Sequence, residues 1–477
     1  MAKLATLLPL LLFLLSASLA LSYNTERRRC ESQCRQLQRP QDKERCMLRC
    51  REKYGEGEES RESEQSRNNP FFFDEDSFRT AVMTQEGNLR VLERFPDRSD
   101  FLRGIENFRL AVLEANPNSA LIPTHSDTEQ ILFVVAGSAT ITLLRKENRE
   151  SYNLRRGDIL TVHAGTTIYI INRDNNEKLF IAELLETISV RGQVQEFFGI
   201  GGRDQESFYM SFTKDILEAA FNTQYEKVRR VFGENEDGAF VSVSQEKIRQ
   251  IAQQASSSEG GHSRYGEGWR GPLNLFEQRP TYSNNHGKLY EADSSDNPAL
   301  RPTSSNKHVN VSVSFTTIRG GSMSAPYYNS KAIKVALVVD GKGYVEIVSP
   351  YVSDRSRQGR EEEREESVSY QRLSAQLSDG QGFIVPAGHP FVVVADHGQD
   401  LRVLCFDIKI ATVEKNEKYP LAGRDNIYNE MNRAERELFF KESEREVERV
   451  LKAQKEAGFF DGPQGRHERE SEGRSDK

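Results

Sequence analysis

Long apolar runs are missing from the interior of this 477-residue chain. Past the N-terminus none approaches the roughly 18 apolar residues that span a bilayer, so no interior transmembrane helix is expected. An excess of one charge is missing too. The 65 basic and 72 acidic residues leave a net charge of −7, with 29% charged residues and a mean hydropathy of −0.66. That mild acidity argues against nucleic acid as a general partner. Cysteine is scarce beyond residue 50: of five, only Cys405 lies there, inside Leu401-Arg-Val-Leu-Cys-Phe406, the setting of a buried free thiol. Signatures of catalysis are also lacking. Gly199-Ile-Gly-Gly202 follows Glu196-Phe-Phe and opens no strand-turn-helix with a lysine, so a phosphate loop is not expected.

What is present is a stretch that occurs twice. The first copy runs from Asn107-Phe-Arg-Leu through Ile131-Leu-Phe-Val-Val-Ala-Gly137 to the glycine-bounded segment Gly157 to Gly165. The second runs from Val309-Asn-Val-Ser-Val-Ser-Phe315 through Lys334-Val-Ala-Leu-Val-Val-Asp-Gly341 to Gly380 to Gly388. Val309, Val311, Val313 and Phe315 alternate with polar residues, the period of a half-buried strand. Short strands ended by turn glycines suggest antiparallel barrels or jelly rolls, and the duplication fits two of them better than one large sandwich.

Around this repeat the chain divides into segments. Residues 1–22 read as a secretory signal, with Lys3, the apolar Leu7 to Leu15 and small residues up to Ser22; a membrane anchor would need a longer run. Residues 23–65 hold a cysteine-paired helical hairpin and a charged linker. Cys30/Cys34 and Cys46/Cys50 each share a helix face, and two antiparallel helices would join Cys30 to Cys50 and Cys34 to Cys46. A four-thiolate zinc site is the competing reading, at a spacing wider than usual for zinc. Residues 66–255 and 272–456 are each a β module followed by amphipathic helices, joined by a linker over 256–271; residues 457–477 read as a disordered tail. Ser244 is an expected N-cap, and Ser443-Glu-Arg-Glu446 an expected capping box. The block Arg360-Glu-Glu-Glu-Arg-Glu-Glu366 reads as a solvated loop, and Asn310-Val-Ser312 is an N-glycosylation sequon on the polar face of its strand.

The paired segments of each module resemble the two cupin motifs, which generally supply three histidines and a glutamate to a metal. Here His125 falls near the first histidine position, Asp127 near the second, Gln130 near the glutamate, and Ile168 at the third histidine; His163 stands where proline is usual, and Asn172 matches the closing asparagine. In the second module Tyr327, Asn329, Lys334 and Phe391 take the four ligand positions, Ala395 that of the asparagine, and His389 lies two residues early. The resemblance therefore implies cupin barrels without a catalytic or metal site and without a cofactor. A partial site at His125, or at Cys405 with His389, is the competing reading.

The whole arrangement resembles the vicilins, the 7S seed storage globulins. The more specific pieces are Gly104-Ile-Glu-Asn-Phe-Arg-Leu, Ile171-Asn-Arg-Asp-Asn-Asn-Glu-Lys-Leu, Gly321-Ser-Met-Ser-Ala-Pro-Tyr-Tyr-Asn-Ser, Pro386-Ala-Gly-His-Pro390 and Pro420-Leu-Ala-Gly-Arg-Asp-Asn-Ile-Tyr-Asn-Glu. The resemblance implies a mainly β bicupin with α extensions, non-catalytic and assembled as a homotrimer. It implies passage through the secretory pathway to seed protein storage vacuoles, processing and germination proteases as partners, no membrane or nucleic acid for the mature globulin, and a food allergen. The 45 Arg, 25 Asn and 23 Gln suit a nitrogen store. The alternatives are a sucrose-binding or copper-holding cupin, or release of the Arg-rich hairpin as an antimicrobial peptide. On the helical reading, non-reducing peptide mapping should link Cys30 with Cys50 and Cys34 with Cys46; a Cys30–Cys34 peptide would defeat the hairpin.

Overall fold

The computed structural model describes residues 69–463, apart from 147, 204, 235–236, 258–270, 295–296, 298–299, 301–310, 351–368 and 410–416. The signal, the cysteine hairpin, the Arg360 to Glu366 block and Asn310 fall outside the described residues. None of the described helices is long and apolar enough to cross a membrane.

The described β structure forms four sheets of seven strands each. Each module contributes an inner and an outer sheet, closed on one another as a jelly roll. The two inner sheets carry their strands in the same order. In the first module this order is Leu273–Asn274, Asp158–Val162, Thr128–Ala136, Leu179–Thr187, Phe108–Ala115, Gly87–Leu92 and Phe78–Met83. In the second it is Phe72–Phe73, Gly382–Val385, Ala332–Asp340, Leu401–Lys409, Val311–Ile318, Gly287–Asp293 and Tyr282–Ser283. The duplication read in the sequence is thus a duplication of topology.

The modules also exchange their edge strands. Phe72 and Phe73, which open the first module, pair with Phe383 and Gly382 of the second. Leu273 and Asn274, which open the second, pair with Ile159 and Asp158 of the first. Asn274 Nδ2 locks its crossing by donating to Asp158 Oδ1 at 2.7 Å. Phe73 is fully buried against Phe95, ring centroids 6.2 Å apart.

The inner sheets pack against each other, which explains the apolar runs. Leu132 and Val134 point into the first barrel, while Phe133 and Val135 belong to the core shared with the second module. Phe133 stacks on Phe315 with centroids 5.9 Å apart. Strands covered on both faces read as continuous hydrophobic stretches rather than alternating ones. The run ends where the chain must reverse. At Gly341 the φ of +95° and a position 2.0 Å from the Asp400 carbonyl oxygen leave no room for a Cβ.

Three expectations are altered. The polar face of Val311–Ile318 is not a solvent face: Ser314 is buried and lines the second barrel with Thr316. The tail begins later than 457, because Phe459–Asp461 pairs with Ser322–Ser324 and buries Phe459 and Phe460. The reciprocal capping box lies at Asn432 and Glu435; at Ser443 the side chain accepts from Glu446 N, but the Glu446 carboxylate turns to Arg449 instead.

Five short α-helices are described: α1 (Lys214–Phe221), α2 (Tyr225–Phe232), α3 (Gln245–Ala252), α4 (Arg433–Phe439) and α5 (Glu444–Leu451). Ser244 caps α3 by accepting from Lys247 N. An aromatic cluster of Tyr209, Phe221 and Phe232 holds α1 to α2, with centroids 4.6 to 5.7 Å apart.

The exchange predicts that Phe73→Ala costs about 3–5 kcal/mol. Chemical denaturation followed by probes in each module should show one common shift; a shift confined to one module would mean that the exchange does not couple them.

Candidate functional site

Ile168 in the first module and Tyr327, Lys334 and Phe391 in the second face the barrel interiors, so the candidate site is the pair of barrels. In the second, Lys334 projects from Ala332–Asp340 and meets Asp407 of the neighbouring strand, Nζ lying 2.7 Å from Oδ1 and 3.0 Å from Oδ2. Their side chains are only 3% and 2% exposed. Asn329 Nδ2 donates to the same Asp407 Oδ1 at 3.2 Å. A second, half-buried pair joins Lys418 to Glu291, and the Lys418 ammonium lines the same cavity 5.8 Å from the Tyr327 ring centre. Tyr327 packs on Phe391 at 4.4 Å. Around these groups lies a cavity of about 70 Å³, lined also by Cys405, Ser314 and Thr316.

Electrostatics keep this interior internally neutral. Burial opposes the Lys334 charge, but Asp407, with Tyr327 and Cys405 behind it, outweighs burial and holds the ammonium well above its usual range. Burial pushes the Cys405 thiol up, away from the reactive thiolate. Each lysine has its carboxylate, so neither is a free base nor a nucleophile. Breaking the Lys334–Asp407 pair strands a charge in low dielectric, at about 3–5 kcal/mol.

The first barrel is built differently. Gln130 Nε2 donates to Ser126 Oγ at 2.8 Å, and Ser126 and Thr128 share a 2.6 Å hydroxyl contact. Asp127 Oδ1 accepts from Gln195 N at 3.0 Å. His125 is occupied by packing: it stacks on Phe197 at 5.0 Å and meets the edge of Phe208 at 5.6 Å. Phe208 in turn contacts Tyr209, so the ring joins the barrel rim to the α1/α2 cluster. Burial lowers its pKa. His163 Nδ1 lies 2.7 Å from Glu129 Oε2, while Glu129 and Gln130, adjacent along their strand, project from opposite faces. Ile168 is buried, and Asn172 Nδ2 donates to the carbonyls of Ala115, Asn116 and Glu177, fixing a turn. Among the described residues, no three His, Cys, Asp or Glu side chains are placed to hold a metal.

Comparison with known proteins places this geometry. The cupin family model matches residues 273–444. Vicilin Cor a 11.0101 of Corylus avellana is 43% identical over 93% of this chain and 96% of its own length. The crystal structure of hazelnut vicilin covers 83% of this chain and all of its own at 44% identity and a TM-score of 0.73. A vicilin of Solanum melongena, described with different anionic ligands in structurally similar pockets, matches 84% of this chain and all of its own at 34% identity and a TM-score of 0.76. The chain belongs to the vicilins. It is a seed storage globulin of two jelly-roll cupin modules, in the family that includes named allergens such as Cor a 11.

In this vicilin the expected ligand positions are brought to the barrels but not to one another as a ligand set. Cys405 and His389 do not share a site. Cys405 lines the cavity, while His389 lies between Phe101 and Phe71, centroids 5.1 and 5.9 Å away, with Nδ1 toward the Ala387 carbonyl. Two acids, Glu183 buried and Glu196 half-buried, escaped the sequence reading. Glu183 projects into the first barrel, and burial, with Glu196 second, pushes its pKa up to about 8. Burial pushes Glu196 up to about 7, with the Thr124 hydroxyl opposing and Asp127 adding. The readable signal was one carboxylate inside the apolar run Phe180-Ile-Ala-Glu-Leu-Leu185.

Both acids bind their protons more tightly folded than unfolded. Their contribution to stability is complete below the unfolded value of about 4.3 and is lost as pH rises through about 7 and about 8. The melting temperature should therefore fall between pH 6 and 8, by roughly 5 °C, and level off above about pH 8. Glu183→Gln should remove most of that slope in a pH series of thermal melts, and an unchanged slope would show that Glu183 is not its source.

Proposed function

We propose that this vicilin is a non-catalytic nutrient reservoir, deposited as a homotrimer in seed protein storage vacuoles and mobilised by proteases on germination. The observation that carries this reading is the state of the barrels. The positions that hold a metal in catalytic cupins are filled by groups bound to one another or packed away, as with Lys334 on Asp407 and His125 on Phe197. The abundance of nitrogen-bearing side chains, 45 Arg, 25 Asn and 23 Gln, supports the store. The linker over 256–271 and the charged block Arg360 to Glu366 are our candidate entry points for proteases.

The helices support the trimer. On α1 and α2, Ile216 and Val231 are 53% and 66% exposed; on α4 and α5, Leu438, Phe439 and Val450 are 72%, 67% and 68% exposed. Apolar side chains exposed together normally mark an interface. The helices of the first module and those of the second occupy equivalent places in a repeat, so the end of one chain fits the beginning of the next head to tail. Such a contact closes into a ring when the rotation allows.

Sedimentation at micromolar concentration tests the assembly. The wild type should run as a trimer, and Leu438→Asp should shift it toward monomer, because burying an unpaired carboxylate costs several kcal/mol, about 2–7 by transfer estimates for polar groups. A wild-type monomer, or a mutant trimer of unchanged stability, would show that these helices do not form the interface.

A further inference from the structure

Where the two modules meet there is a second, larger cavity of about 420 Å³, outside both barrels. Arg156 reaches it from the first module, and Lys288 and Arg319 from the second. Arg156 lies over the Phe276 ring and Lys288 over the Tyr290 ring, 5.7 and 5.8 Å from their centres. Among the described residues none of the three cations has a carboxylate partner. The single acid in the lining, Asp400, is engaged by Gly320 N, which donates to its Oδ1 at 3.2 Å. Three cations against one carboxylate leave this cleft with a charge of about +2 on a chain whose net charge is −7.

The internal repeat supplies a control. Gly87 pairs with Ala115 as Gly287 pairs with Ile318, which puts Asn88 in the place of Lys288 and Glu114 in that of Thr317. Two residues on, Asn116 takes the place of Arg319, and Asp379, before Gly380, takes that of Arg156, before Gly157. The counterpart positions thus carry none of the three cations: Asp379 stands in place of one of them, and Glu114 is paired to Arg90 at 2.6 Å. The same backbone can carry a neutralised surface, so the basic cleft is not a by-product of the fold.

We propose that this cleft between the modules binds a polyvalent phosphate, either an inorganic oligophosphate or a sugar bearing two phosphoryl groups. The volume lies in the range of small-molecule sites, roughly 300–1,000 Å³. Guanidinium groups match phosphate oxygens with paired donors, and the ammonium adds a point charge. Valence decides the ligand class. A single exposed ion pair is worth little, about 0–1 kcal/mol, so a monovalent anion gains almost nothing here, whereas a ligand meeting all three cations adds their effects. The aromatic rings hold Arg156 and Lys288 in place and reduce the cost of ordering them.

Isothermal titration of the full chain with inorganic tripolyphosphate and, separately, with fructose bisphosphate tests this. One site per chain is expected, weakened by salt and at least about tenfold tighter than for orthophosphate. The tighter of the two probes identifies the source of the phosphate. Arg156→Gln, Lys288→Gln and Arg319→Gln should each weaken binding about two- to fivefold, and the triple variant should abolish it. All three side chains lie on the cleft wall, so melting temperatures should match the wild type, and each single variant stands as a check should the triple not fold. Arg90→Gln should leave binding unchanged. Absence of binding by both probes, or binding that survives the triple substitution, would overturn the proposal.

Discussion

The architecture depends on two inner sheets burying their outward faces against each other. A jelly roll fills itself; it has no inherent need for a second barrel. Here Phe133 and Phe315 stack across the junction, and the core that contains them continues into the interior of the second module. Every central strand of the inner sheets therefore has two covered faces. This constraint dictates the apolar composition of those strands and pushes the polar groups of the second barrel, Lys334, Asp407 and Ser314, to its inside wall.

That inside wall shows how the cupin fold accommodates other side chains at its ligand positions. A barrel interior needs groups of the right size in those positions, and each buried polar atom needs a partner. The two modules reach different solutions. The second matches cations to carboxylates inside a small cavity, while the first uses hydroxyl and amide contacts and tolerates two acids that keep their protons near neutrality. Neither arrangement leaves an open coordination position among the described residues.

Much of this was legible in the sequence because duplication, turn glycines and apolar runs are local signals. Ile131 to Val135 and Lys334 to Val339 were readable as buried strands, and Gly137 and Gly341 as their ends. The partners were not legible. Lys334 stood out at a ligand position, but Asp407 lies 73 residues further on, and only the register of two adjacent strands brings it there. The alternation at Val311–Ile318 was readable as a strand, but period two cannot say whether the polar face meets water or a barrel interior. Phe71-Phe-Phe73 is an aromatic run in the sequence, yet its place in the sheet of a module about 300 residues away has no local signal. The capping box misassigned to Ser443 shows the limit at short range: Glu446 has two suitors, a backbone N–H and Arg449, and the sequence does not rank them.

The exchange of edge strands also sets an order of events in time. A chain is made from its N-terminus, and domains generally fold as they emerge. The first module can close its barrel early, but Asp158–Val162 remains an open sheet edge until Leu273 and Asn274 have been synthesised. Phe72 and Phe73 are made first and wait longest, because Gly382–Val385, the strand they cover, comes more than 300 residues later. Three consecutive phenylalanines must stay out of wrong pairings for that whole interval, since unpaired edges and exposed aromatic surface invite association with other chains. Maturation of this protein is thus a single event that finishes only when its second half is made, although the molecule looks like two copies of one unit.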